Sequence, residues 1–207
     1  MITNSETEAL RHNASLQEKF ANAQVAVCGL GGLGSNTAVL LARAGVGHLQ
    51  LFDFDVVDVS NIGRQQYFAD QIGMRKTDAL MQTLRRIAPE GDFTAEAVRL
   101  TEENIPALLA GTPFICEAFD KADQKAMLAN TVLTQLPGAC LVAGSGMAGL
   151  ASPNAIRTRR VTAHFYLCGD ECSGIETGMR LISARVAVCA AHQAATILRL
   201  IAGETDA

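Results

Sequence analysis

At 207 residues, 49% of them apolar and 18% charged, the sequence fits one globular domain with a full core, not a disordered or repetitive chain. A formal charge of −4, with the acids scattered, leaves no basic field to attract nucleic acid or an anionic membrane surface. The polar opening MITNSETEALRHNASLQ lacks a signal-peptide core, and the best apolar run, from Leu181, is broken by Arg185, His192 and Arg199. A cytoplasmic chain with reduced thiols and no membrane span is the expectation.

In chain order, spaced apolar positions at Ala9, Leu16 and Phe20 predict an N-terminal helix over about 5–20. VAVCGL (25–30) is a short apolar run ending in glycine, as in a strand buried on both faces. A helix from Ser35 to Ala44 follows, closed by Gly45, and then a second strand, HLQLFDFD (48–55), ending in acids. An amphipathic helix is predicted over 76–88, stopped by Pro89. Strand 92–98, a short helix at 102–110, strand 113–119, a helix over 122–135 and strand 138–144 complete the series. Alternation of this kind predicts an α/β fold, a Rossmann-like, doubly wound, mostly parallel sheet. Beyond it, AIRTRRVTAHFYL (155–167) reads as two strands that either pair as a hairpin or meet a partner, and 180–202 as a long Ala-rich helix. One domain spans 1–207: a nucleotide-binding core over about 24–145, then C-terminal strands and helix over about 153–203.

Gly29, Gly31, Gly32 and Gly34 lie between the first strand and the first core helix. Glycine there permits a tight turn and lets backbone amides approach phosphate oxygens at a helix N-terminus. Asp53, at the end of the second strand, is placed to accept from a ribose hydroxyl. These features alone fit NAD, FAD or ATP. The next stretch is unusual for a nicotinamide enzyme. LFDFDVVDVSNIGRQ clusters Asp53, Asp55, Asn61, Arg64 and Gln65, and GMRK adds Lys76. Loops at the carboxyl ends of parallel strands line the ligand crevice, where Arg and Lys can neutralise a triphosphate and the charge released when it is attacked.

GLGGLG, LFDFDVVDVSNIGRQ, GMRK and the strand end EAFD (117–120) together resemble the signature of the ThiF/MoeB family, relatives of ubiquitin-activating enzymes, over roughly residues 20–145. The short length and FDKADQKAM look most like the compact ThiF variants of thiamine biosynthesis. The resemblance implies an adenylyltransferase that uses ATP and Mg²⁺. Its substrate would be the C-terminal carboxylate of a ThiS-like, ubiquitin-fold sulfur carrier ending in Gly-Gly. It implies phosphate contacts from Gly31, Gly32 and Gly34, a ribose contact from Asp53, and triphosphate contacts from Asn61, Arg64 and Lys76. Asp120 would bind Mg²⁺ and orient the attacking carboxylate. In a homodimer, Arg11 from the other subunit would reach the γ-phosphate. SGMAGLAS (145–152), small and flexible, is a candidate wall for the carrier's tail or an ordinary turn.

Longer family members hold zinc with two CxxC pairs. Here only Cys168 and Cys172 remain, in CGDECSG, with His164 near in sequence, too few ligands for a closed zinc site. An accessible thiolate in that loop is one expectation, an inert thiol the other. Cys28, Cys116, Cys140 and Cys189 sit in apolar runs and read as small buried hydrophobes. Competing functions are an NAD-dependent oxidoreductase, a non-catalytic scaffold, or the same chemistry on a molybdopterin or cysteine-pathway carrier or a tRNA base. The acidic balance disfavours the last.

Overall fold

The computed structural model describes residues 14–174 and 178–206. Helix α1 occupies 14–21 of the described chain. There follow β1 (Gln24–Cys28), α2 (Gly32–Arg43), β2 (His48–Asp53), α3 (Lys76–Ile87), β3 (Asp92–Ala97) and α4 (Ile105–Leu108). The rest of the chain forms β4 (Phe114–Glu117), α5 (Ala122–Gln135), β5 (Cys140–Gly144), β6 (Arg157–Arg160), β7 (Phe165–Gly169) and α6 (Ser183–Ala202).

The strands make one seven-stranded sheet in the order β3-β2-β1-β4-β5-β7-β6. β6 alone runs antiparallel, against β7. The segment 155–167 therefore does form a hairpin, and β7 pairs parallel with β5, so the C-terminal strands continue the core sheet. Alternation along each strand feeds two apolar layers. Val25, Val27, Leu49 and Leu51 pack on the face covered by α2, α3 and α6. Ala26, Cys28, Phe52, Ile115 and Leu141 pack on the opposite face, under α4 and α5. Each fully buried leucine contributes about 1.5–3 kcal/mol of transfer free energy.

Helix α4 is shorter than the predicted 102–110. The side chain of Asn104 accepts from the Thr101 amide at 2.8 Å, and Pro106 brings no N–H, so the helix begins only at Ile105. Gly45, at φ +88°, ends α2 as expected. Helix α6 has the length and apolar composition of a membrane span, yet it buries Val186, Cys189, Ala190, Gln193, Ala194 and Ile197 within the fold and carries Arg185 and Arg199. It is a core helix.

Candidate active site

Strand order reverses between β1 and β4, and the loops leaving their carboxyl ends open the crevice where doubly wound sheets take ligands. The glycine loop lies there, pinned by the Gly29 amide donating to Phe52 O at 2.8 Å and the Ala118 amide donating to Cys28 O at 2.9 Å. Gly29 has φ +91°, and a Cβ on it would lie 2.9 Å from both Ala118 O and the Phe119 ring. A Cβ on Gly34 would lie 1.8 Å from Gly29 O. No side chain caps α2 behind Gly31, so the N–H groups of its first turn face the crevice at the positive end of the helix. Gly34→Ala is expected to destabilise the protein by about 3 kcal/mol, since backbone must move to admit the methyl. A denaturant midpoint equal to that of the parent chain would refute the tight packing.

Around this loop the candidate residues divide into three groups. The first is a carboxylate relay. Asp53, 8% exposed, accepts from the Leu30 amide at 2.6 Å and from the Asp55 amide at 2.7 Å. It fastens the glycine loop to the end of β2, with lone pairs left for a hydroxyl donor. Asp55 accepts from Lys76 Nζ at 2.8 Å, and that lysine is 6% exposed at the start of α3. The Tyr67 hydroxyl donates to Leu30 O at 2.7 Å. Burial, and then the nearby Asp53 and Asp55 charges, push its phenol pKa up, so it stays a donor.

The second group is the arginine loop. Asn61 and Asp58 form a reciprocal cap on a short 3₁₀ turn, Val59–Asn61, with the Asp58 amide donating to Asn61 Oδ1 at 3.0 Å. Asn61 thus holds the loop's shape. The Arg64 guanidinium donates once, from Nη1 to Ser60 O at 2.7 Å, while its Nε is buried without a partner. A Cβ on Gly32 would lie 3.9 Å from Arg64 Cγ, and one on Gly31 would lie 3.9 Å from Gln65 Nε2, so both side chains lie against the glycine loop. A cavity of about 280 Å³ opens beside Arg64 and Gln65 and reaches the first turn of α6; Lys76 and Asp120 do not line it.

The third group follows β4. Asp120 is exposed and makes no hydrogen bond or ion pair among the described residues. It follows Phe119, whose ring lies at Gly29. Arg64 thus lies against the glycine loop at Gly32, Lys76 is linked to it only through Asp55 and Asp53, and Asp120 is the residue after Phe119, whose ring meets Gly29. Arg11 lies outside the described residues.

Several pairings that frame the site carried no sequence signal of their own. Glu117, 1% exposed, is held by Lys125 Nζ at 3.0 Å and by the Phe119 amide at 2.7 Å; burial pushes its carboxyl pKa up despite the lysine. Lys125 also donates to Gly144 O at 2.8 Å, and Gln193 of α6 donates to Glu117 O at 2.8 Å, so the pair binds β4, β5, α5 and α6. Asp170 and Arg185 form a second buried ion pair, 5% and 4% exposed. Arg185 also donates to Ala151 O at 2.8 Å, while the Met147 and Ala148 amides donate to Ser173 O. The segment 145–152 is therefore tied down rather than flexible. Its length in small residues allows close backbone approach: a Cβ on Gly146 would lie 2.2 Å from Asp170 Oδ1.

The two thiols of CGDECSG part company. Cys168, the last residue but one of β7, is fully buried between Thr158 and Thr196, and burial pushes its pKa up, which corrects the expectation of an accessible thiolate at that position. Cys172 is exposed. His164 lies by Cys140, with Nδ1 3.7 Å from the sulfur. Among the described residues no group of three or more His, Cys, Asp or Glu is arranged to hold a metal.

Asp170 yields a pH prediction. Burial pushes its carboxyl up, but the Ser173 hydroxyl, the amides of Cys172 and Ser173 and the Arg185 charge outweigh it and hold the pKa well below the usual carboxylate range. A depressed folded-state pKa stabilises the protein above the unfolded value, about 3.9, and that contribution is lost as pH falls below it. The melting temperature of the parent chain is expected to fall more steeply than that of Asp170→Asn between about pH 5 and pH 2. Parallel curves would show the carboxylate to be inert.

Comparison with known proteins agrees with this geometry. The ThiF family profile matches residues 6–207. The chain is 34% identical over 179 residues to a molybdopterin-synthase adenylyltransferase of Salmonella typhimurium, covering 81% of this chain and 68% of that protein. It is 33% identical over 141 residues to the tRNA threonylcarbamoyladenosine dehydratase of Escherichia coli, covering 67% of this chain and about half, 52%, of that protein. Among solved structures, that dehydratase in complex with ATP superposes with a TM-score of 0.84 at 21% identity, covering 98% of this chain and 97% of that one, and so shares the fold. The uncapped glycine loop, the acidic strand end and the arginine loop stand within that match, and the chain belongs to the ThiF family.

Proposed function

We propose that the protein adenylates the C-terminal carboxylate of a ubiquitin-fold sulfur carrier ending in Gly-Gly. The observation that carries this reading is the set of cationic groups around the glycine loop. Arg64 lies against Gly32 with donor capacity to spare, and Lys76 stands two carboxylates from the Leu30 amide. A nicotinamide cofactor has no use for both cations, whereas a triphosphate has. A carboxylate oxygen of the carrier attacks the α-phosphorus of ATP, the bond to the bridging oxygen of pyrophosphate breaks, and an acyl-adenylate remains. No proton is transferred, so the protein's task is to position the reactants and offset charge on the departing pyrophosphate. Lys76 exchanges Asp55 for phosphate, Arg64 contributes its planar donors, and Asp53 accepts from the ribose.

Asp120 suits Mg²⁺. It is an exposed, unengaged carboxylate beside the crevice, and this cation commonly takes one or two carboxylates, with phosphates and waters completing its shell. When bound, the ion offsets triphosphate charge. Thiamine synthesis is the pathway favoured by the resemblance of the FDKADQKAM segment to ThiF variants of that pathway, and a molybdopterin carrier is the second reading, favoured by the 34% identity to the Salmonella protein. We further propose a cytoplasmic homodimer, a reading supported by exposed apolar residues such as Val59 and Phe68 that a partner subunit would cover.

The test is ATP–pyrophosphate exchange with and without each carrier, followed by mass spectrometry for an added AMP on the carrier. Exchange that depends on one carrier identifies the substrate. Tight NADH binding without ATP binding overturns the proposal.

A further inference from the structure

Two consecutive side chains in the first turn of α2 hold the arginine loop. Ser35 Oγ donates to Gly31 O at 2.6 Å and accepts from the Gln66 amide at 3.1 Å. Asn36 Nδ2 donates to Gly32 O at 2.7 Å and to Arg64 O at 3.1 Å, and its Oδ1 accepts from Gln66 Nε2 at 2.7 Å. Every donor and acceptor class of that carboxamide is in use, and two of its three bonds, to Arg64 O and from Gln66 Nε2, join α2 to residues 64–66. The arrangement is not required to build α2, whose neighbours Thr37, Ala38 and Leu41 are already buried. Nor does it hold the guanidinium directly, since Arg64 Nη1 binds Ser60 O and its Nε is unpartnered.

We infer that Asn36, with Gln66 as its partner, is a positioning residue that sets the Arg64 guanidinium over the phosphates at the glycine loop. The inference rests on the proposed nucleotide chemistry. The physical reason is lever length. Arg64 has a long flexible stem, and its charge is placed only as well as the backbone that carries it. The loop's internal bonds, from the Arg64 and Gln65 amides to Asn61 O, fix its shape but not its height above Gly31–Gly32. The Asn36 bridge, beside the Ser35–Gln66 and Tyr67–Leu30 bonds, supplies that height at Arg64 itself, through Arg64 O. A displacement of about 1 Å at such a site costs on the order of a hundredfold in rate. Asn36→Asp removes both donated bonds and sets a carboxylate oxygen against two carbonyl oxygens, so it should act no more mildly than Asn36→Ala.

A double-mutant cycle on ATP affinity distinguishes positioning from plain stabilisation of α2. Titration of ATP into Asn36→Ala is expected to show about tenfold weaker binding, with Asn36→Asp at least as weak. In an Arg64→Ala background the same change should weaken binding less than about twofold, because the group it positions is gone. Thermal unfolding of each variant checks that it is folded. An equal loss in both backgrounds, or no loss in either, overturns the inference while leaving the adenylation reading intact. Absence of ATP binding by the parent chain overturns that reading, and the positioning role with it.

Discussion

Replacing Arg64 with alanine is expected to lower carrier-dependent ATP–pyrophosphate exchange by about two to three orders of magnitude. It should leave stability nearly unchanged. Among the described residues the guanidinium makes one hydrogen bond, to Ser60 O, and its Nε is buried without a partner. A side chain that leaves donor capacity unused against a glycine loop contributes little to folding and has much to offer an incoming phosphate. Arg64→Lys should recover only a small part of the activity, because an ammonium is a point charge and cannot present two parallel donors. The check is initial exchange rate at saturating carrier, beside the unfolding midpoint of each variant. An Arg64→Ala enzyme within threefold of the parent would remove the central cation from the proposed chemistry.

Arg185→Ala is expected to show the reverse pattern, a loss of about 3–5 kcal/mol of stability. Asp170 and Arg185 are both nearly inaccessible, and removing one leaves an uncompensated buried charge. The substitution also frees Ala151 O, which Arg185 holds at 2.8 Å, so the segment 145–152 loses an anchor. The exposed pair Arg159–Glu171, 53% and 43% accessible, serves as the contrast: Arg159→Ala should cost less than about 1 kcal/mol, since water and ions screen that charge. Denaturant unfolding of both variants settles the comparison. Equal, small losses would mean that Asp170 finds other partners, with the Ser173 hydroxyl and the Cys172 and Ser173 amides sufficient to hold it.

The two experiments separate two uses of arginine in one fold. At position 185 both terminal nitrogens are bound internally and Nε alone lacks a partner, whereas at 64 only one terminal nitrogen is bound. A third cation, Lys76, lies between these cases. It is buried and paired, but its partner Asp55 is half exposed, with 51% of its side chain accessible, so the carboxylate can turn to solvent at little cost provided another anion takes its place on the lysine. That asymmetry suits a lysine that leaves its carboxylate when a triphosphate arrives.

Much of this was legible in the residues. Continuous apolar runs such as VAVCGL, ended by glycines, mark strands buried on both faces, and the observed β1 and its loop follow directly. The glycine spacing, the acids ending β2 and the arginine loop are local features, each held by neighbours close in sequence: Asn61 with Asp58, Asp53 with Asp55. Short-range geometry of this kind is set by residue type and spacing. The buried ion pairs were not legible. Glu117 meets Lys125 only because α5 folds back over β4, and Asp170 meets Arg185 only when α6 packs across the end of β7. The same holds for Asn36, whose partner lies 30 residues away and whose role is invisible in the string LGSN.

The sequence by itself determined the order of strands and helices, the glycine turn and the local form of the acidic strand end and arginine loop, because hydrophobic period, glycine spacing and charge act over a few residues. Only the tertiary structure decided that the C-terminal hairpin extends the core sheet, that Cys168 is sealed away while Cys172 is not, and that Ser35 and Asn36 hold the arginine loop in place. Those outcomes depend on which distant surfaces meet. Burial and hydrogen-bond satisfaction are properties of that meeting and not of any single segment.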